Sequence, residues 1–116
     1  MNKQLEYLRA LEEFDSILKD FEEKEYQKLG FLNEPINIDF MKIVERERTK
    51  LRKKIAANLL KEYDRIKKHY GSKIVVQVIK GYCSGCYSKL PSEIVSRCKT
   101  EVKTCPNCGR FLYYLT

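Results

Sequence analysis

Residues 83–108 read CSGCYSKLPSEIVSRCKTEVKTCPNC, two CxxC pairs separated by 18 residues. Each pair places two thiols on one tight turn, and two such turns supply four sulfurs. Zinc favours tetrahedral sulfur ligation at about 2.3 Å in closed structural sites. The residues inside the pairs suit a backbone that curls around an ion. Gly85 relieves steric restriction in CSGC, Pro106 fixes one torsion in CPNC, and Gly109 is free to take a positive φ where the chain leaves the second turn. Such turns aim backbone amides at the sulfurs and stabilise their negative charge. Cys83, Cys86, Cys105 and Cys108 are therefore the candidate ligands of one structural Zn2+.

Other readings of the cysteines fit less well. A thioredoxin-like redox pair needs one CxxC beside a βαβ pattern, whereas here two pairs are joined by LPSEIVSR, one short helix. A RING-type cross-brace needs eight ligands, and only five cysteines and His69 exist. Cys98 reads as a small, partly buried side chain near the short helix, and His69 as a helix-end residue. Four ligands leave no open coordination position to activate water, so the ion is not catalytic. With one His, no Gly-rich phosphate loop and no nucleophile motif, the chain does not read as an enzyme. Outward from the cysteines, β-branched and aromatic residues predict strands at 74–82 and 110–115, which makes residues 73–116 a small β zinc ribbon. About 40 residues bury too little apolar surface unaided, so the ion holds this part together.

Before the ribbon the apolar period changes to that of helices. Leu5, Leu8, Leu11, Phe14, Leu18 and Phe21 form one stripe over residues 2–28. Gly30, Asn33 and Pro35 break the pattern in LGFLNEPIN. It resumes from about Asp39 to Tyr70 with Met41, Val44, Leu51, Ile55, Leu59, Tyr63 and Ile66, and Gly71 supplies the stop. A short connection favours an antiparallel two-helix coiled-coil hairpin over residues 1–72. A turn centred near Asn33 brings Leu8 to Leu59, Leu11 to Ile55, Phe14 to Leu51 and Phe21 to Val44. Arg48 falls near Leu18 on the seam, where it snorkels outward or marks a partner contact. The expected fold class is α+β, this hairpin followed by the ribbon.

Of the 116 residues, 43% are hydrophobic and 34% charged, which suits an elongated helical protein better than a disordered chain or a thick-cored one. The net charge of +7 is unevenly spread: −4 over residues 1–36, +7 over 37–74 and +4 over 75–116. The hairpin register sets Glu12, Glu13, Asp15 and Asp20 opposite Arg46, Arg48, Lys50, Arg52, Lys53 and Lys54. The basic run therefore reads as a partly neutralised, solvated face before it reads as a phosphate-binding stripe. MNKQLEYLRALEEF interrupts its apolar residues with charges, unlike a signal peptide, and no later run spans a bilayer. The expectation is a cytoplasmic protein without membrane insertion.

LRALEEFDSILKDFEEK, LLKEYDRIKKHYGSKIVVQVIKGYCSGCYSKLP and TCPNCGRFLYY together resemble bacterial proteins that join a coiled-coil hairpin to a C-terminal C4-type, zf-RING-like zinc ribbon. The resemblance implies zinc at Cys83, Cys86, Cys105 and Cys108, and a ribbon projecting from the end of the helix pair. It also implies regulatory or chaperone-like contacts with flagellar or type III secretion components and with sigma-54, and RNA binding. The hairpin here is shorter than the family's.

Three functional readings follow. The leading one is a non-catalytic adaptor that binds protein partners through hairpin and ribbon, with Phe31, Leu32, Pro35 and Ile36 as an apolar contact loop. The alternative is single-stranded RNA binding, with Tyr82, Tyr87, Phe111, Tyr113 and Tyr114 stacking beside Lys80, Lys89 and Arg110. A ribbon needs aromatics for its own packing, and strand alternation puts only half of RFLYYL on one face. The third is a homo-oligomer covering apolar helix surface with a second copy.

Overall fold

The computed structural model describes residues 2–20 and 35–115. The expected contacts at Phe21, Gly30, Phe31, Leu32 and Asn33 lie outside the described residues, and of Pro35 and Ile36 only the backbone is described.

Among the described residues three helices come first. Helix α1 (Lys3–Asp20) starts where Asn2 caps it, its Oδ1 accepting the Gln4 N–H at 2.9 Å. It buries Leu5, Leu8, Leu11 and Asp15. Helix α2 (Pro35–Lys54) begins at a proline, whose fixed φ suits a first helical position. Helix α3 (Ala57–Tyr70) stops at Gly71, which takes φ 79° and donates its N–H to the Lys67 carbonyl at 2.7 Å.

The two-helix hairpin is thereby corrected: the segment from Asp39 to Tyr70 is two helices, and the described residues of the N-terminal part form three. A continuous helix would hold Arg48 and Tyr63 about 22 Å apart along its axis, and Arg52 and Asp64 about 18 Å apart. Instead Arg48 and Tyr63 both bond the Asp15 carboxylate, and Arg52 Nη2 reaches Asp64 Oδ2 at 2.8 Å. Helix α3 therefore folds sharply back at Ile55–Ala56. RKKIAANLL holds no Gly or Pro to break a helix, and tertiary contacts meet at the corner. Ile55 is buried, Ala56 is extended at φ −58°, ψ 139°, and the Gln4 side chain from α1 bridges the break. Its Nε2 donates to the Lys54 carbonyl at 3.0 Å, and its Oε1 accepts the Ala56 N–H at 2.8 Å. Both backbone groups are solvent-facing, so Gln4→Ala is expected to cost only about 1 kcal/mol, read as a lower thermal midpoint. An unchanged midpoint would show that burial of Ile55 alone holds the corner.

The ribbon follows as β1 (Val75–Ile79), β2 (Tyr82–Cys83), helix α4 (Ser92–Arg97), β3 (Lys103–Thr104) and β4 (Phe111–Tyr113). The sheet order is β2-β1-β4-β3, with β1 and β4 parallel and both outer pairs antiparallel. The strand expected over 74–82 is divided by a two-residue turn at Lys80 (φ 52°) and Gly81 (φ 81°), the twist-matched hairpin geometry.

Period-two alternation gives this sheet two buried faces. Val75 and Phe111 join Leu5, Leu8, Leu11, Ile55, Tyr63, Ile66 and Ile74 in a core shared with the helices, and Leu51 and Leu59 pack against it. Val76, Val78 and Leu112 face the other way, into a core with Cys83, Leu90, Cys98 and Cys105. The Glu12 carboxylate ties α1 to the sheet, accepting the N–H groups of Ile74 at 3.1 Å and Val75 at 2.8 Å.

The acidic and basic runs meet less than their register implies. Among the described residues, Asp15 carries the ion pairs that leave α1 for the other helices, to Arg48 and to Lys67 Nζ at 3.2 Å, and it accepts the Tyr63 hydroxyl at 2.7 Å. Arg48 is thus bonded inward at the seam. Burial raises the Asp15 carboxyl, but hydrogen bonds from Tyr63 and Arg48 and the charges of Arg48 and Lys67 outweigh it and leave it below the usual aspartate value. Burial and Asp15 together push the Tyr63 hydroxyl far up.

Candidate metal centre

Two turns of the same construction carry the four cysteines. In the first, the Tyr87 N–H donates to the Cys83 carbonyl at 2.6 Å and the Cys83 N–H to the Ser88 carbonyl at 3.0 Å. In the second, the Gly109 N–H donates to the Cys105 carbonyl at 2.9 Å and the Cys105 N–H to the Arg110 carbonyl at 2.8 Å. Each turn ends on a left-handed residue, Tyr87 at φ 62° and Gly109 at φ 82°. The Asn107 side chain joins them, donating to Ser88 Oγ at 2.9 Å.

These turns bring all four sulfurs within 4.8 Å of one another. Cys83 to Cys108 and Cys86 to Cys105 are each 3.7 Å, far longer than the roughly 2.05 Å of a disulfide. A tetrahedral ion about 2.3 Å from each sulfur would separate them by about 3.8 Å, so the cluster has the dimensions to coordinate one metal ion. Cys83 and Cys105 are buried, Cys86 and Cys108 half-buried.

The surroundings treat the thiols unequally. Burial pushes Cys83 up to about 12 against the pull of the Cys86 and Gly85 amides, and pushes Cys105 up against those of Cys108 and Asn107. At Cys86 burial also raises the thiol, but hydrogen bonds from Asn107 and Ser88 prevail and bring it to about 5. The Asn107 amide lies 3.4 Å from Cys105 Sγ, as a turn aimed at the sulfurs requires.

Cys98 stays outside the cluster. It is buried, donates to the Val95 carbonyl at 3.1 Å, and burial raises its thiol. His69 is exposed and lies edge-on to Tyr70. The aromatic set divides: Phe111 is 1% exposed, Arg9 covers Tyr113 and Lys99 covers Tyr114, while Tyr82 and Tyr87 are 47% and 74% exposed.

Tyr70 was not among the candidate residues, yet its hydroxyl donates to the Cys108 carbonyl at 2.7 Å. Its place at a helix end, 13 residues before Cys83, carries no linear signal of that contact. Gly85 is also not what it promised, since its φ lies outside the left-handed region that Gly71, Gly81 and Gly109 occupy.

Residues 82–112 match the C4-type zinc ribbon domain. Two solved structures share the fold. CT398 from Chlamydia trachomatis is 20% identical, with a TM-score of 0.62 over 83% of this chain and 42% of that one. HP0958 from Helicobacter pylori CCUG 17874 is 25% identical, with a TM-score of 0.64 over 78% of this chain and 39% of that one. The chain thus spans about two fifths of the length of either. No curated protein matches it. A ribbon with such a cysteine cluster is typical of structural, non-catalytic zinc-binding domains. Among the described residues, no helix is long and apolar enough to cross a membrane.

Proposed function

We propose that the protein is a zinc-loaded, non-catalytic adaptor, in which Cys83, Cys86, Cys105 and Cys108 hold one structural Zn2+ and the ribbon presents a protein-binding surface. Residues 1–72 act as its helical platform and residues 73–116 as the presenting unit, in the cytoplasm. The observation that carries the contact surface is Tyr87. It sits left-handed at φ 62° and 74% exposed, where the equivalent turn uses Gly109. A non-glycine residue there costs about 1 kcal/mol, and an exposed aromatic gives no packing in return. Ile79 and Tyr82, paired across β1 and β2, are each about half exposed on the same ribbon. The partners implied by the family resemblance are secretion or flagellar components and sigma-54.

Affinity capture from the native cytoplasm tests this with Tyr87→Gly, which relieves the backbone. The variant is expected to keep one zinc per chain and at least wild-type stability while losing most partner capture. Undiminished capture would remove Tyr87 from the contact. The RNA reading retains Tyr82 and Tyr87 beside exposed Lys80 and Lys89, but loses Phe111 to the core. Captured RNA whose binding falls steeply with salt would favour it. Light scattering decides the homo-oligomer, which a strictly monomeric particle at high concentration would exclude.

A further inference from the structure

We infer that Arg110 is a positioning residue that couples metal loading at the four cysteines to the seating of the ribbon on the end of α3; this rests on the zinc reading above. Three contacts meet at its side chain. Arg110 Cζ lies 3.8 Å from the centre of the Tyr70 ring, at the last residue of α3. The same side chain lies across Gly85, where an added Cβ would come within 2.7 Å of Arg110 Cδ and 3.2 Å of Nε and Nη1. Tyr70 in turn is bonded to the Cys108 carbonyl. A residue leaving the second turn therefore covers the first, and the ring it stacks on is bonded to the second.

This explains the glycine at position 85. Its backbone does not need the left-handed region, so the requirement comes from the neighbour: any Cβ would displace Arg110. Arg65 approaches the same junction, its Nη2 3.8 Å from where a Cβ on Gly109 would lie.

The electrostatics link this junction to the metal. Among the described residues Arg110 Nε is buried with no hydrogen-bond partner, and none of the ion pairs includes Arg110. A partly buried cation without a carboxylate is destabilising by itself. Four thiolates around a divalent ion carry two net negative charges, which would offset the guanidinium lying over the turn. Metal loading then favours the seated Arg110, and seating favours loading by the same factor.

The test measures zinc affinity by competition with a chromophoric chelator, and amide exchange at residues 68–71 with and without zinc. Arg110→Ala is expected to weaken zinc binding about tenfold and to abolish the zinc-dependent slowing of exchange at the end of α3. Gly85→Ala should weaken binding similarly, but Gly85→Ala with Arg110→Ala should bind no more weakly than Arg110→Ala alone, because the clashing side chain is gone. Tyr70→Leu, which removes the stacking ring from an exposed position, reads the same coupling if Arg110→Ala does not fold. Additive losses in the double variant, or wild-type affinity and exchange protection in Arg110→Ala, would overturn the inference. A wild-type chain that takes up no zinc would instead overturn the reading on which it rests.

Discussion

Cys105→Ser is expected to lose stoichiometric zinc and to unfold residues 75–115, seen as collapse of the ribbon's resonances and no metal at one per chain. Structural zinc supplies on the order of 10 kcal/mol of folding free energy in domains this small. Cys105 is one of the buried residues of the ribbon's own core, so the substitution also places a hydroxyl among Val76, Val78 and Leu112. The damage should not stop at the ribbon. Ile74, Val75 and Phe111 pack with the helices, and each large apolar side chain withdrawn from a core costs about 1.5 to 3 kcal/mol. The helices should therefore melt at lower temperature in the variant, and chelation of wild-type zinc should reproduce that shift. Full zinc retention in Cys105→Ser would show the four-ligand assignment to be wrong.

Asp15→Ala should destabilise the helical part by about 2 to 4 kcal/mol. The carboxylate is 8% exposed and joins α1, α2 and α3 through Arg48, Tyr63 and Lys67. Removing it leaves the fully buried Tyr63 hydroxyl without its acceptor and Arg48 without its anion. Arg48 and Lys67 keep some solvent access, which holds the figure below that of a fully buried network. Asp15→Ala and Tyr63→Phe together should cost less than their sum in thermal unfolding; strict additivity would separate them. The pH dependence has a definite sign. The folded carboxyl lies below its ordinary value of about 3.9, so its contribution is complete at neutral pH. It is lost progressively as pH falls past 3.9 and through the folded value. Wild type should therefore lose stability faster than Asp15→Asn between about pH 5 and 2, and parallel acid profiles would dismiss the network as its source.

The four-cysteine cluster was legible because it is written in local spacing: CxxC fixes two sulfurs on one turn, and the intervening residues close the distance. The stop at Gly71 was legible for the same reason. The corner at Ile55–Ala56 was not, because no Gly or Pro marks it and the partner that bridges it is Gln4, some fifty positions away. Asp15 misled similarly, being an acidic residue beside an apolar stripe that occupies the core position expected of Phe14. The turn at Lys80–Gly81 did have a signal, a glycine within a β-branched run, which the strand prediction passed over. Gly85 carried the right residue and the wrong reason, since flexibility is visible in a sequence while a neighbouring arginine is not.

The parallel pairing of β1 with β4 also links the two cores. Val75 pairs with Phe111 and Val76 with Leu112, across about 36 residues, and those two neighbours on β4 complete the two separate cores. Without β4 the core beneath the helices lacks Phe111 and stays open at one side. One short strand therefore closes both cores, and a change that unpairs β4 from β1 opens the helical core and the cysteine core together.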